Sequence, residues 1–158
     1  MRIYEAREES GSVQVAAIPA ELAEEFFPNV EEYAIRALNH AYDGMTVETL
    51  IKRIIEGNLI LVVVTVEGEI RASMTVELCE IPMGRIAHCM TLSGDDLESW
   101  VDEFIDTWKA LGEALDCDAI TIKGRAGWER YARRYGFKHM YTNMYLPLSK
   151  SEDKNVSI

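Results

Sequence analysis

The stretch Asp116–Phe137, DCDAITIKGRAGWERYARRYGF, constrains the fold of this chain more than any other. A short β-branched run, Ala119–Lys123, leads into Gly124-Arg125-Ala126-Gly127. A segment rich in Arg and aromatics follows and ends at Tyr135-Gly136-Phe137. Strand, glycine turn, short helix and glycine exit form a βα unit with its end marked. The last third of the chain therefore has to be built on a sheet.

The 158 residues suit one domain with a well-buried core. Hydrophobic residues at 48% and charged residues at 27% are those of a folded globule rather than a disordered chain. The formal net charge of −11 excludes a general binder of phosphate backbones, which needs clustered Lys and Arg, so nucleic acid is not the expected partner. The acidity serves solubility, or gives an acidic face to a protein partner. The three cysteines, Cys79, Cys89 and Cys117, form no CxxC pair and have no His at ligand spacing. They are expected to be reduced thiols of a cytoplasmic protein, with no zinc site. The N-terminus is charged from Arg2 on and lacks an apolar leader segment, and the longest apolar run, Leu59–Val64, is too short to span a bilayer.

Alternation of apolar and polar residues predicts extended chain at Met1–Glu5 and Val13–Ile18. Pro19 opens a first helix with Leu22, Phe26 and Phe27 on its apolar face. A second helix runs over Val30–Tyr42, with Tyr33, Ile35, Ala37, Leu38 and Ala41. Thr46 caps a third helix lined by Leu50, Ile51, Ile54 and Ile55, which Gly57-Asn58 stops. A meander follows: strand Leu59–Val66, hairpin turn Glu67-Gly68, strand Glu69–Leu78, a turn around Pro82-Met83-Gly84, and strand Arg85–Leu92. Asp95 or Asp96 caps a long helix over Leu97–Leu115, with Trp100, Val101, Phe104, Ile105, Trp108, Leu111 and Leu115 at helical spacing. After the βα unit, a last strand is expected around His139–Leu148, and residues 149–158 form a polar tail. Met83, Met90, Met140 and Met144 are expected in the core. The fold class is α+β: one domain over residues 1–148, a mixed, mostly antiparallel central sheet with helices on both faces.

This order resembles the Gcn5-related N-acetyltransferase (GNAT) fold over nearly the whole chain. In that family the third meander strand leads into a glycine-rich turn at the start of the long helix, reading Arg or Gln, two residues, Gly, any residue, then Gly or Ala. Its backbone N–H groups hold the pyrophosphate of coenzyme A. This chain reads Thr91-Leu92-Ser93-Gly94-Asp95-Asp96-Leu97, with one glycine in place and two carboxylates where phosphates would lie. The family's helix ending in Tyr, three residues, Gly, Phe here carries Ala132 at the tyrosine position, with Tyr131 one residue earlier and Tyr135 on another face. Trp128 stands where the family often has a small residue. Glu56-Gly57-Asn58, Ser93-Gly94-Asp95 and the segment Asp116-Cys117-Asp118 to Gly124-Arg125-Ala126-Gly127-Trp128-Glu129-Arg130 also resemble small GNAT-like proteins of tailed bacteriophages.

The resemblance implies acyl transfer from acetyl-CoA or another acyl-CoA to an amine acceptor. Thr91, Leu92, Ser93, Gly94 and Arg125 are then the cofactor-binding candidates. His88 or Glu77, with Glu80 beside them, takes a proton from the amine, and Tyr131 returns one to the thiolate. The alternative is a non-catalytic protein, virion-associated or binding a host protein, that retains the scaffold in host cytoplasm or virion. Exposed apolar residues at Tyr141, Met144 and Tyr145 suggest either an oligomer edge or ordinary strand alternation. For Arg125, Arg130, Arg133 and Arg134 the choice lies between an anion site and ion pairing with surface carboxylates.

Overall fold

A computed structural model describes residues 13–40, 44–123 and 126–148. The expected strand Met1–Glu5, the end of the second helix at Ala41 and Tyr42, the turn residues Gly124 and Arg125, and the tail from residue 149 lie outside them. The described chain runs β1 (Val13–Ile18), α1 (Ala20–Phe26), α2 (Glu31–Leu38), α3 (Val47–Ile55), β2 (Ile60–Val66), β3 (Glu69–Ile81), β4 (Gly84–Gly94), α4 (Val101–Ala114), β5 (Ala119–Ile122) and α5 (Ala126–Arg134). The five strands lie in the sheet order in which they occur in the chain. Pairings between β1 and β2, β2 and β3, and β3 and β4 are antiparallel, and β5 joins β4 in parallel. The chain is thus a mixed α+β domain, as its sequence implies.

Alternation along the strands divides the core in two. On one face Val13, Val15, Ile60, Val62, Val64, Met74, Val76, Ala87 and Cys89 pack under α4, which contributes Trp100, Val101, Phe104, Ile105, Trp108 and Leu111. On the other face Leu59, Leu61 and Val63 meet Ala23, Phe27, Val30, Ala34, Leu50 and Ile54 from the first three helices. The small residues Ala23 and Ala34 form the inner stripes of α1 and α2, while Leu22 and Ile35, expected inside, are exposed. Ile55 is exposed as well, so α3 turns Leu50 and Ile54 inward. Met83, Met140 and Met144 lie at the surface, leaving Met90 as the half-buried member of that group.

Local chemistry sets the ends. Thr46 accepts the Thr49 N–H at 3.2 Å and caps α3. Glu67 and Gly68 both take positive φ, 51° and 81°, as a two-residue hairpin with the strands' own twist requires. Helices α3, α4 and α5 share one exit. Asn58 N donates to Arg53 O (2.8 Å), Cys117 N to Gly112 O (2.9 Å) and Phe137 N to Ala132 O (3.1 Å), with Gly57, Asp116 and Gly136 left-handed before them.

Two expectations fail here. Asp95 and Asp96 do not cap the long helix: Asp96 is left-handed (φ 56°), a 3-10 turn Leu97–Ser99 intervenes, and Trp100 stands at the cap of α4 without a side-chain bond. The Asp95 carboxylate is drawn instead to Arg36 on α2. Nor is His139–Leu148 a strand. These residues have no ladder partner among the described residues and are almost wholly exposed; an alternating segment makes no strand without one.

Gly94 serves packing. A Cβ there would lie 2.5 Å from Ala72 Cβ, 2.7 Å from Arg71 O and 2.9 Å from Trp100. Gly94→Ala is expected to lower stability by about 1–3 kcal/mol, read as a reduced denaturation midpoint. An unchanged midpoint would show that β3, β4 and Trp100 are not this closely packed.

Candidate functional site

The sheet parts between β4 and β5. Ladder pairing runs from Ile86–Ala119 to Cys89–Ile122 and stops, while β4 continues to Gly94. At that point β4 carries an extra residue. Val76 pairs with Cys89 and Thr75 with Thr91, leaving Met90 as a bulge. A bulge bends its strand and adds twist, which carries the end of β4 away from β5.

The opening has two sides. On the α4 side Leu92, Val101, Phe104, Ile105, Trp108 and Ile122 face Trp128, Tyr131, Ala132, Tyr135 and Phe137 of α5 and its exit. The space left between them is about 20 Å³, enough for about one water. Trp128 and Tyr131 rings stand 6.2 Å apart, and the Arg130 and Arg134 guanidiniums lie 5.5 and 5.8 Å from the Tyr131 ring. Arg133 pairs with Glu129 at 2.6 Å and Arg134 with Glu98 at 4.0 Å, so these helix arginines serve the protein's own carboxylates. Tyr131 and Tyr135, assigned to different faces from helical spacing, both reach the cleft. Tyr135 donates its hydroxyl to Asp102, and burial, then that bond, push its pKa up to about 12.

The helix side is polar. His88 lies between Ala87 and Cys89, which face α4, so it points the other way, as Glu77 does between Val76 and Leu78. The two are cross-strand partners, and Arg53 of α3 pairs with Glu77 at 3.3 Å. His88 Nδ1 is 2.7 Å from Thr121 Oγ1 of β5. Ser73–Ser93 and Thr75–Thr91 continue this row up β3 and β4, with the two Thr hydroxyls 2.7 Å apart. Burial, and secondarily Lys123, lower the His88 pKa against the smaller opposing effect of Glu77. The ring is therefore neutral near pH 7 and able to accept a proton. Glu80 is exposed, beyond this row. Cys89 is buried, and burial pushes its thiol well up, which leaves it inert.

The sheet separates the candidates that the sequence grouped. His88 and Glu77 lie on the α1–α3 face and Tyr131 on the α4–α5 face, so they communicate only through the parting between β4 and β5. Of the cofactor candidates, Leu92 lines the cleft, Thr91 is bonded to Thr75, Gly94 is packed on Ala72, and Ser93 lies opposite Ser73. Arg125 lies outside the described residues. Arg36 and Tyr33 also belong to this region, although nothing in the sequence marks them for it. Arg36 holds Asp95 through Nη1 and Nη2 (2.8 and 3.3 Å), and Tyr33 Oη lies 3.2 Å from Asp95 Oδ2 and 3.0 Å from Ile70 O, its one proton shared between the two acceptors. The Arg36 hydrogen bond is the main cause of the lowered Asp95 pKa. No local pattern links residues so far apart in the chain.

The described residues offer coenzyme A little room at the cleft and a negatively charged turn after β4. The cleft beside the parting, walled by Trp128 and Tyr131, has room for about one water. At the turn, Asp95 N is already bonded to Arg71 O (2.7 Å), and Trp100 Nε1 is bonded to Asp95 O (2.7 Å). Exposed Asp95, Asp96, Glu98, Asp102 and Glu103 surround the start of α4, where a pyrophosphate needs positive potential. Among the described residues, no group of three His, Cys, Asp or Glu side chains is placed to hold a metal ion, and no helix is long and apolar enough to cross a membrane.

Solved acetyltransferases share this architecture. A ribosomal-protein-alanine N-acetyltransferase from Brucella melitensis superposes with a TM-score of 0.64 at 13% identity, over 87% of this chain and 100% of that one. The aminoglycoside N-acetyltransferase AAC(6')-Iy, in complex with CoA, gives 0.63 at 7% identity, over 90% and 98%. A GNAT family acetyltransferase of Staphylococcus aureus gives 0.61 at 12%, over 87% and 99%. At such identities the likeness establishes a GNAT fold. No protein-family model and no curated protein matches the sequence.

The His88 pKa is lowered in the folded state, so between that value and the unfolded value of about 6.5 the unfolded chain binds more protons. Stability therefore falls as pH drops below about 6.5 and is regained above it. NMR titration is expected to give a His88 midpoint below about 6.5, and His88→Gln is expected to flatten that part of the stability profile. A midpoint at or above the ordinary histidine value would contradict the burial and the Lys123 effect.

Proposed function

We propose that this chain is a GNAT-fold protein that works without coenzyme A, as a binding module for another protein rather than as a transferase. The observation that carries this reading is the aromatic wall of the opening: Trp128 and Tyr131 line the cleft that Leu92 of β4 and Ile122 of β5 enter, and it has room for about one water. The acidic start of α4 supports it, since carboxylates there raise the free energy of any phosphate brought close. The resemblance to small tailed-phage proteins, some virion-associated, suggests a virion or host protein as partner and the host cytoplasm or virion as location. The acidic surface, from a net charge of −11, suits a basic partner.

A second reading, acyl transfer to an amine, has a specific observation in its favour. His88 is neutral and stands on β4 one residue before its last pairing with β5, where a base for an amine would be of use. That each of the three solved neighbours is an acetyltransferase also supports it.

Thermal denaturation with acetyl-CoA separates the two readings, because a ligand that binds only the folded state stabilises it by about 2.7 kcal/mol at one hundred times its Kd. The expected outcome is an unchanged melting temperature up to millimolar acetyl-CoA and no release of thiol with small amine acceptors. A saturable rise, together with amine acetylation that His88→Ala removes, establishes the transferase reading instead.

A further inference from the structure

We infer that His88 and Thr121 form an acid-released clasp at the mouth of the parting: the end of β5 stays on β4 while His88 is neutral and lifts away when the ring takes a proton. The clasp stands on the shortest ladder of the sheet. β5 follows β4 for four pairs, Ile86–Ala119 to Cys89–Ile122, and His88–Thr121 is the third of them. The neighbouring ladder of β3 and β4 runs from Ala72–Gly94 to Ile81–Gly84. Just past the clasp, the bulge at Met90 already carries β4 away from β5. A short ladder with one end open is where a sheet gives way locally, at lower cost than its global unfolding.

The side chains decide when it gives way. His88 Nδ1 and Thr121 Oγ1 stand 2.7 Å apart, with the hydroxyl's residue buried and the ring half-buried. A neutral ring suits this bond in either sense, since Nδ1 accepts from the hydroxyl or donates to it. A proton on the ring places a cation in a half-buried site beside Lys123, which lies two residues past Thr121 on the same face of β5. Burial opposes that charge most, and Lys123 adds to the opposition. Glu77 of β3, the cross-strand partner of His88, favours the charge, but Arg53 of α3 already holds it at 3.3 Å. The charged ring therefore does better in water, and separation of Thr121 and Lys123 from β4 brings water to it. Proton uptake favours the released state because His88 binds a proton more tightly there than in the closed one. Ile122 stands between Thr121 and Lys123, faces the other way and lines the α4–α5 cleft with Trp128 and Tyr131. Release withdraws Ile122 from that wall. A proton taken up on the helix face thus loosens the cleft on the opposite face, whether or not the chain binds coenzyme A.

The test is amide hydrogen exchange of the full chain, followed residue by residue by NMR between about pH 8 and about pH 5. Each rate is divided by the intrinsic rate at that pH, and the His88 ring is titrated in the same sample. The β5 amides bonded to β4 are expected to lose protection as His88 titrates, by at most about tenfold per pH unit, the limit for one linked proton. Amides at Val62, Val64, Met74 and Val76, in the centre of the sheet, are expected to keep theirs. His88→Asn, which offers a polar amide in place of the ring and takes no charge, is expected to abolish the pH dependence at β5. Protection at β5 that does not change across the His88 titration overturns the inference. So does an equal loss at the centre of the sheet, which means that the whole domain opens, and so does a pH dependence that survives in the variant. The wild-type series decides the matter alone if the variant does not fold.

Discussion

One extra residue in β4 governs this molecule. Met90 has no partner across β3, and at that point β5 ceases to follow β4. A sheet that parts must do something with the exposed strand ends, since unpaired backbone and apolar side chains are costly to leave open. Here α4 and α5 close one side with an aromatic row, Trp100, Phe104, Trp108 and Phe137, whose successive ring centroids are 5.4, 5.9 and 5.6 Å apart. Trp128 and Tyr131 line the cleft that remains. The parting is bordered in this chain by aromatic side chains that leave room for about one water.

Electrostatics points the same way. The turn after β4 is fixed from three directions, by Arg71 O on the Asp95 amide, by Trp100 Nε1 on the Asp95 carbonyl, and by Arg36 and Tyr33 on the Asp95 carboxylate. The amide, carbonyl and carboxylate of Asp95 are committed to the protein. An exposed ion pair such as Arg36–Asp95 is worth little in free energy by itself, but it joins α2 to the end of β4 and so ties the helical layer to the rim of the parting. On that layer's side, the row from Ser73 to Thr121 is small, polar and largely bonded within itself. It is the most chemically capable surface near the parting, and it faces away from α5.

The parts of the fold legible in sequence were those with a short-range cause. Thr46, Glu67-Gly68, Gly57-Asn58 and Gly136-Phe137 each fix a local geometry, and each stands where its pattern indicated. The spacing of Trp100, Phe104, Trp108 and Leu111 gave the buried face of α4 correctly. The failures have long-range causes. Asp95 reads as a helix cap until Arg36, fifty-nine positions away, is brought beside it. His139–Leu148 has the alternation of a strand, but a strand also needs a partner, and none is supplied within the described chain. Ala23 and Ala34 lie on the buried sides of α1 and α2 because close helix packing on the sheet favours small residues, a choice that hydrophobicity alone ranks below Leu22 and Ile35. The separation of His88 from Tyr131 was hidden for a similar reason: strand parity fixes each residue's face, but the bulge at Met90 shifts that parity by one.

The closure of the parting can be tested at Trp128, which lines it. The sequence has three tryptophans, Trp100, Trp108 and Trp128. Incorporating 5-fluorotryptophan gives each its own fluorine resonance, assigned by single replacement with Phe, and acetyl-CoA is then titrated to millimolar concentration. The account predicts a Trp128 resonance that keeps its position and width, because its site is already occupied from within. A saturable shift of Trp128, with Trp108 following, would mean that the joint opens to admit the ligand, and would contradict it.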